Sequence, residues 1–166
     1  MKEPPSLLKY LLDIIVFPFT ITVIIPYLLY NKNQHFIPDV ILVKVIALIF
    51  FIIGLSLFLS TNFLFKTIAK GTLAPWSPKQ NLVVVGPYRY CRNPMITGVL
   101  CILLSEALYL NCTNILIFFG VFIITNTFFF IKVEEPYLTK TFGEQYLDYK
   151  KNVPRWIPRF TAYKKN

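Results

Sequence analysis

VILVKVIALIFFIIGLSLFLSTNF, residues Val40 to Phe63, decides the class of this protein. It runs for more than the roughly 20 apolar residues that a bilayer crossing needs, with one charge, Lys44. Three further apolar runs flank it. The first covers about 7–30 and holds Asp13, Pro18 and Pro26, so a kink is expected there. The others cover 95–110 and 115–131 and are separated by Asn111-Cys112-Thr113-Asn114, which predicts a tight helical hairpin. Both arms are short for full spans, which tilt or local thinning accommodates.

Composition agrees. Of the 166 residues 55% are apolar and 15% charged, with 16 Phe and 10 Tyr. A domain of this size has too little interior to hide that surface from water. The expected architecture is all-α: a single polytopic membrane domain over 1–166, about four transmembrane helices, and polar segments 64–94 and 132–166. From Tyr137 to Tyr149 the apolar residues Leu138, Phe142, Tyr146 and Tyr149 recur at helical spacing, which predicts an amphipathic helix along the membrane surface. Val153-Pro154-Arg155-Trp156-Ile157-Pro158-Arg159-Phe160 reads as an extended strap with an interfacial tryptophan and basic anchors.

The net charge of +9 is concentrated beside the apolar runs, where it meets anionic headgroups, and no nucleic-acid module is present. Lys66, Lys70, Lys79, Arg89 and Arg92 lie in the middle segment. Lys132, Lys140, Lys150, Lys151, Arg155, Arg159, Lys164 and Lys165 lie in the tail. The opposite side has little beyond Lys32 and Lys44. Both polar segments, and with four spans both termini, are therefore expected in the cytoplasm. Cys91, Cys101 and Cys112 match no zinc or disulfide spacing, and no metal-ligand pattern appears. The first apolar run is too long for a signal peptide's core and no cleavage site follows it.

The densest polar cluster is Gly86-Pro87-Tyr88-Arg89-Tyr90-Cys91-Arg92-Asn93-Pro94-Met95. Asn93 is placed to cap the next helix and Pro94 to open it. The helix N-terminus and Arg92 suit a carboxylate ligand. Equally, Arg89 and Arg92 suit interfacial anchors, with Tyr88 and Tyr90 in an aromatic belt. Gly98 permits close approach of a ligand or a helix. Glu106 either faces a cavity or reaches the far interface. Glu134 and Glu135 stand where a helix dipole disfavours anions, so binding competes with simple solvation as their explanation. Pro136 is expected to end the helix between them, with Glu134 inward on the face of Asn126 and Phe130, and Glu135 bracing the surface segment through Arg89, Arg155 or Arg159.

Gly86-Pro87-Tyr88-Arg89-Tyr90-x-Arg92-Asn93-Pro94-Met95, a hairpin, Glu134-Glu135-Pro136-x-Leu138, Phe142-Gly143-x-x-Tyr146 and Val153-Pro154-Arg155, in that order, resemble the isoprenylcysteine carboxyl methyltransferase and phospholipid methyltransferase family. Gly71-Thr72-Leu73-Ala74-Pro75-Trp76 looks like a subset of its bacterial and archaeal members. The resemblance implies a helical membrane enzyme that takes S-adenosylmethionine between its last helices and its C-terminal segment. It places Arg92, Asn93, Pro94, Glu134 and Glu135 at the cofactor site, to which Tyr88 and Gly98 are added as candidates. Arg92 and Glu134 are the candidate catalytic residues; Glu106, Asn126 and Arg155 are candidates for a lipophilic or small acceptor, whether carboxylate, amine or thiol. Asn93 departs from the histidine common in the prenylcysteine enzymes and cannot act as a base. A non-catalytic scaffold of the same fold and a sterol-reductase-like NADPH enzyme are the alternatives. Cysteines introduced at Lys79 and Lys150 should react only with reagent on the cytoplasmic side; reaction from the other side alone overturns the topology.

Overall fold

The computed structural model describes residues 15–32, 35–38, 40–64, 67 and 81–164. Among the described residues it is helical with no strands. The start of the first apolar run with Asp13, the positions Lys66, Lys70 and Lys79, the Gly71–Trp76 segment, and Lys165 lie outside the described residues.

The first helix begins as a π-helical stretch, Ile15–Ile24, containing Pro18, and continues as α1 (Ile25–Leu29) with Pro26 in its first turn. α2 is Ile41–Leu64 and α3 is Pro94–Tyr109. α4, Thr113–Phe129, passes through a π-helical turn, Phe130–Glu134, into α5, Glu135–Phe142. α6, Glu144–Asn152, follows Gly143.

Among the described residues, two helices are long and apolar enough to cross a membrane: Ile41–Leu64 and the composite Thr113–Phe142. Only 11% of the most apolar window of each is buried within the protein, which a core helix of a soluble domain would reverse. Ile41, Leu42, Leu48, Ile52 and Phe63 on α2, and Ile117, Ile124 and Phe128 on α4, instead face outward and match lipid. Pro18–Leu29 and Pro94–Tyr109 are apolar but shorter.

The most extensive packing is that of α2 against α3, and its closest point is Gly54 on Gly98. A Cβ on Gly98 would stand 2.8 Å from the Gly54 carbonyl oxygen and 3.0 Å from the Phe58 nitrogen. Glycine is required because backbone meets backbone, as at membrane helix crossings generally. This corrects the assignment of Gly98 to the cofactor site: the residue is buried against α2.

The hairpin turn is tighter than expected, because α4 already begins at Thr113. Asn111 adopts φ +49, a left-handed conformation that asparagine tolerates. Its side chain then closes the far end of the bundle. Oδ1 accepts the backbone N–H groups of Phe36 and Ile37, both at 3.2 Å, and Nδ2 donates to the Ile37 carbonyl at 2.6 Å. Asn114 Nδ2 donates to the Leu29 carbonyl at 3.1 Å, tying α4 to α1.

Two expectations fail at the other end. The helix does not stop between Glu134 and Glu135: both residues are helical, at φ −74 and ψ −46 and at φ −63 and ψ −42. Pro136 falls in the first turn of α5, and the wider π turn before it leaves the proline without a required N–H donor. The tail, in turn, is not one amphipathic helix. Gly143, at φ +53, divides it into α5 and α6. Its apolar face is covered by protein: Leu138, Tyr146, Tyr149, Val153 and Tyr163 form a buried cluster against Leu82, Val84 and Phe142.

Alanine at Gly98 should destabilise the protein by about 1–3 kcal/mol, the usual cost of overpacking. Alanine at Gly120, where a Cβ would meet nothing within 4 Å, should be neutral or stabilising by up to about 1 kcal/mol. Thermal unfolding in detergent checks both; equal shifts would remove the crossing from the account.

Candidate functional site

Gly86, at φ +54, starts a 3-10 turn, Gly86–Arg89, which places Tyr88 inward and leads to Arg92 ahead of α3. A Cβ on Gly86 would stand 2.9 Å from Leu64 Cδ1, so the turn lies directly under the end of α2. The strap beyond α6 pairs with this segment by main-chain hydrogen bonds. Arg92 N donates to the Pro154 carbonyl (2.9 Å), Arg159 N to the Tyr90 carbonyl (3.0 Å) and Tyr163 N to the Arg89 carbonyl (3.0 Å). Arg89 Nε returns a bond to the Tyr163 carbonyl at 2.7 Å, and the Tyr149 hydroxyl donates to the Tyr88 carbonyl at 2.6 Å. Cys91 is buried beneath the strap and its thiol donates to the Arg155 carbonyl at 3.0 Å. Burial pushes that thiol's pKa up. Cys91 is therefore a packing residue.

Glu135 is the electrostatic centre. Its side chain is 8% exposed, and Oε1 accepts from Arg92 Nη1 at 2.8 Å and from Arg155 Nη2 at 2.5 Å. Oε2 takes Lys150 Nζ at 2.8 Å. One carboxylate thus joins the turn before α3, helix α6 and the strap to the start of α5. Arg155 belongs to this ion cluster and lies apart from the cavity described next, and Trp156 packs edge-on to Phe130 at 5.6 Å.

Beside the cluster lies a cavity of about 580 Å³, large enough for a nucleoside-sized ligand. Tyr88, Arg92, Asn93, Asn126, Glu134 and Tyr146 are among the polar residues that line it. Pro18, Ile21, Phe58, Val99, Phe122 and Phe129 supply apolar wall. Tyr88 and Tyr149 are buried, and burial holds both hydroxyls well above the usual tyrosine range, with the charge of Glu134 adding to the effect on Tyr88. Both therefore stay neutral donors. Arg92 Nη1 reaches Glu135 and the Tyr146 hydroxyl (3.3 Å), while its Nε is buried with no hydrogen-bond partner among the described residues. A buried donor of this kind costs about 1–3 kcal/mol until something accepts from it. Asn126 Nδ2 donates to the Phe122 carbonyl at 2.8 Å. Only the amide nitrogen can face a carbonyl oxygen, so Oδ1 is the group Asn126 has left for a ligand.

The structure brings together Tyr88, Arg92, Asn93, Asn126 and Glu134 at this cavity. The others fall elsewhere. Glu135 and Arg155 form the ion cluster, because about 100° of helix rotation turns Glu135 away from Glu134. Pro94 is buried at the start of α3 outside the cavity lining. Gly98 is at the α2 crossing. Glu106 lies about two turns beyond Gly98 along α3, in a separate recess. Asn93 stands at the N-cap position with φ −122 and ψ 53, makes no capping bond, and lines the cavity. Asn81, Leu82 and Val83 add a wall that was not anticipated. The short run Leu82-Val83-Val84-Val85 within a polar segment was the available signal.

A family model described as phospholipid methyltransferase matches residues 42–145, more than half of the chain. No curated protein and no solved structure matches it. The matched stretch runs from α2 into α6 and takes in the turn at Tyr88, Arg92, the hairpin and the glutamate pair, and with them most of the cavity lining; Pro18, Ile21, Tyr146 and Tyr149 lie outside it. The chain belongs to the phospholipid methyltransferase family.

Proposed function

We propose that the protein is a multi-pass membrane methyltransferase that uses S-adenosylmethionine and methylates the amino group of a lipophilic acceptor, with its site on the cytoplasmic side of a four-helix membrane domain. The observation that carries this proposal is the pairing, in one cavity, of a guanidinium with a buried unsatisfied Nε and a carboxylate, Glu134, on the facing helix. An amino-acid moiety offers the complements: a carboxylate for Arg92 and an ammonium for Glu134. Tyr88, Asn93 and the apolar wall suit the nucleoside part. The bound cofactor supplies a methyl group on a positively charged sulfur, open to direct displacement.

The chain's contribution is then alignment and exclusion of water rather than covalent catalysis. Glu135 fixes the Arg92 guanidinium, and the strap fixes the backbone that carries it. Asn126 decides the acceptor. Its Oδ1 accepts from an N–H and repels a carboxylate or thiolate, and Glu134 adds negative charge to the same wall. Between the amine, carboxylate and thiol acceptors compatible with the sequence, these two groups favour the amine. The family's description as phospholipid methyltransferase favours a lipid as its bearer. The apolar stretch from Phe122 to Phe129 offers such an acceptor a lipid-side approach.

S-adenosylhomocysteine should raise the thermal midpoint of the purified protein in detergent and NADPH should not; the reverse result selects the reductase-like alternative, and no shift with either selects the scaffold. Glu134→Gln should weaken S-adenosylhomocysteine binding by about 1.5–3 kcal/mol with little change in stability. Glu135→Gln should instead lower stability by about 3 kcal/mol, because three cations lose their shared anion. The opposite ranking would exchange the two roles. Asn126→Leu should lower kcat with cofactor affinity retained. In the wild type, activity should rise with pH from about 6 to 9 as the acceptor amine loses its proton. A flat profile over that range would indicate a carboxylate acceptor.

A further inference from the structure

The strap carries two large apolar side chains that the described residues leave uncovered: Ile157 is 80% exposed and Phe160 103%. The positions around them hold the strap's inner face. Arg155 is committed to Glu135, Trp156 to Phe130, and Tyr163 to the buried cluster with Tyr146 and Tyr149. The Cys91 thiol faces the carbonyls of Arg155 and Trp156, at 3.0 and 3.4 Å, and main-chain bonds at Pro154, Arg159 and Tyr163 fix the rest. Ile157 and Phe160 therefore stay outward for as long as the strap is docked.

We infer that the strap docks on an anionic lipid surface, with Ile157 and Phe160 entering the headgroup layer and Lys151, Arg159 and Lys164 meeting lipid phosphates. Depth is the first support. Trp156 packs on Phe130, which stands 17 residues beyond Thr113, about 26 Å along the helix and close to the far edge of a hydrocarbon layer roughly 30 Å thick. The residues next to Trp156 in the chain are thereby held at the boundary between lipid and water, where an apolar side chain gains by entering.

Charge is the second support, and it selects the lipid. From Tyr149 to Lys164 the chain holds Lys150, Lys151, Arg155, Arg159 and Lys164 and no acidic residue. Glu135 takes Lys150 and Arg155. Arg159 donates to two neutral acceptors, the Asn152 carbonyl at 2.8 Å and the Thr161 hydroxyl at 3.3 Å, which leave its charge in place. Lys151 and Lys164 are exposed. Three cations outside the ion cluster, flanking two uncovered apolar side chains, match a surface of anionic headgroups over acyl chains. Lipid bound there would hold the strap against residues 89–92, so the backbone of Arg92 would be steadied by the charge of the bilayer. The inference does not depend on the proposed activity, since neither cofactor nor acceptor enters its test.

Hydrogen exchange of the full chain in nanodiscs of phosphatidylcholine, with and without phosphatidylglycerol of identical acyl chains, tests it. The strap amides that bond to residues 89–92, those of Arg159 and Tyr163, should exchange about tenfold more slowly in the anionic discs, and salt should reduce the difference. Lys151→Gln with Lys164→Gln should abolish most of it and leave exchange in the neutral discs unchanged. Ile157→Ser with Phe160→Ser should abolish it as well. Equal exchange of the wild type in the two discs overturns the inference. So does a lysine variant that keeps the full difference, which also decides the matter if the serine variant does not fold. Faster exchange of the serine variant in detergent overturns it in favour of packing against another part of the chain. Protection that rises with protein concentration in detergent and ignores lipid charge overturns it in favour of a second copy.

Discussion

One buried carboxylate sets the geometry of the polar end of this protein. Removing a carboxylate from water costs several kcal/mol, and the loss is recovered only where cations and hydrogen bonds surround it closely. Glu135 meets that condition with Arg92, Arg155 and Lys150 together. None of the three comes from its own helix segment, so satisfying the charge requires the turn before α3, helix α6 and the strap to converge. Arg92 is thereby held at the cavity edge with one nitrogen committed and another without a partner. The strap's main-chain bonds to residues 89–92 repeat the constraint in neutral form.

Away from that end the physics changes. At the Gly54–Gly98 crossing of α2 and α3 no charged side chain takes part, and lipid offers no hydrophobic incentive for helices to associate. Close contact at Gly54 and Gly98 supplies dispersion instead, and Asn111 supplies the hydrogen bonds that close the far end. The protein thus joins its helices by close packing in the middle and by polar clamps at both ends. The cavity lies where the middle gives way to the ionic clamp, so its wall is apolar toward Phe122 and charged toward Glu134.

Much of this was legible in the residues. The apolar runs announced the helices because a bilayer imposes length and composition together. The unequal placement of Glu134 and Glu135 followed from helical rotation alone. Gly98 was ambiguous, since a ligand and a helix both exploit a missing Cβ, and only the partner at Gly54 distinguishes them. Arg155 was one of three arginines that the sequence offered as partners of Glu135, and only the course of the strap in space selects it over Arg89 and Arg159. The wall at Leu82 and Val83 was hidden for a different reason: four apolar residues do not make a period. Pro136 misled outright, because its preference for ending helices assumes α geometry on its N-terminal side, and here the preceding turn is wider.

That wider turn bears on how this chain and its relatives diverge. The N–H of Glu135 donates to the carbonyl of Phe130, five residues back, so the turn holds one residue more than an α-helix would. Such turns are what a single inserted residue leaves behind when the helices on either side keep their places. Deleting one residue between Phe130 and Glu134 would restore the α repeat while the helices on either side keep their places. Glu134 would still face the cavity and Glu135 the ion cluster. The turn is therefore the point in this helix where relatives can differ in length by one residue and keep both carboxylates on their own faces.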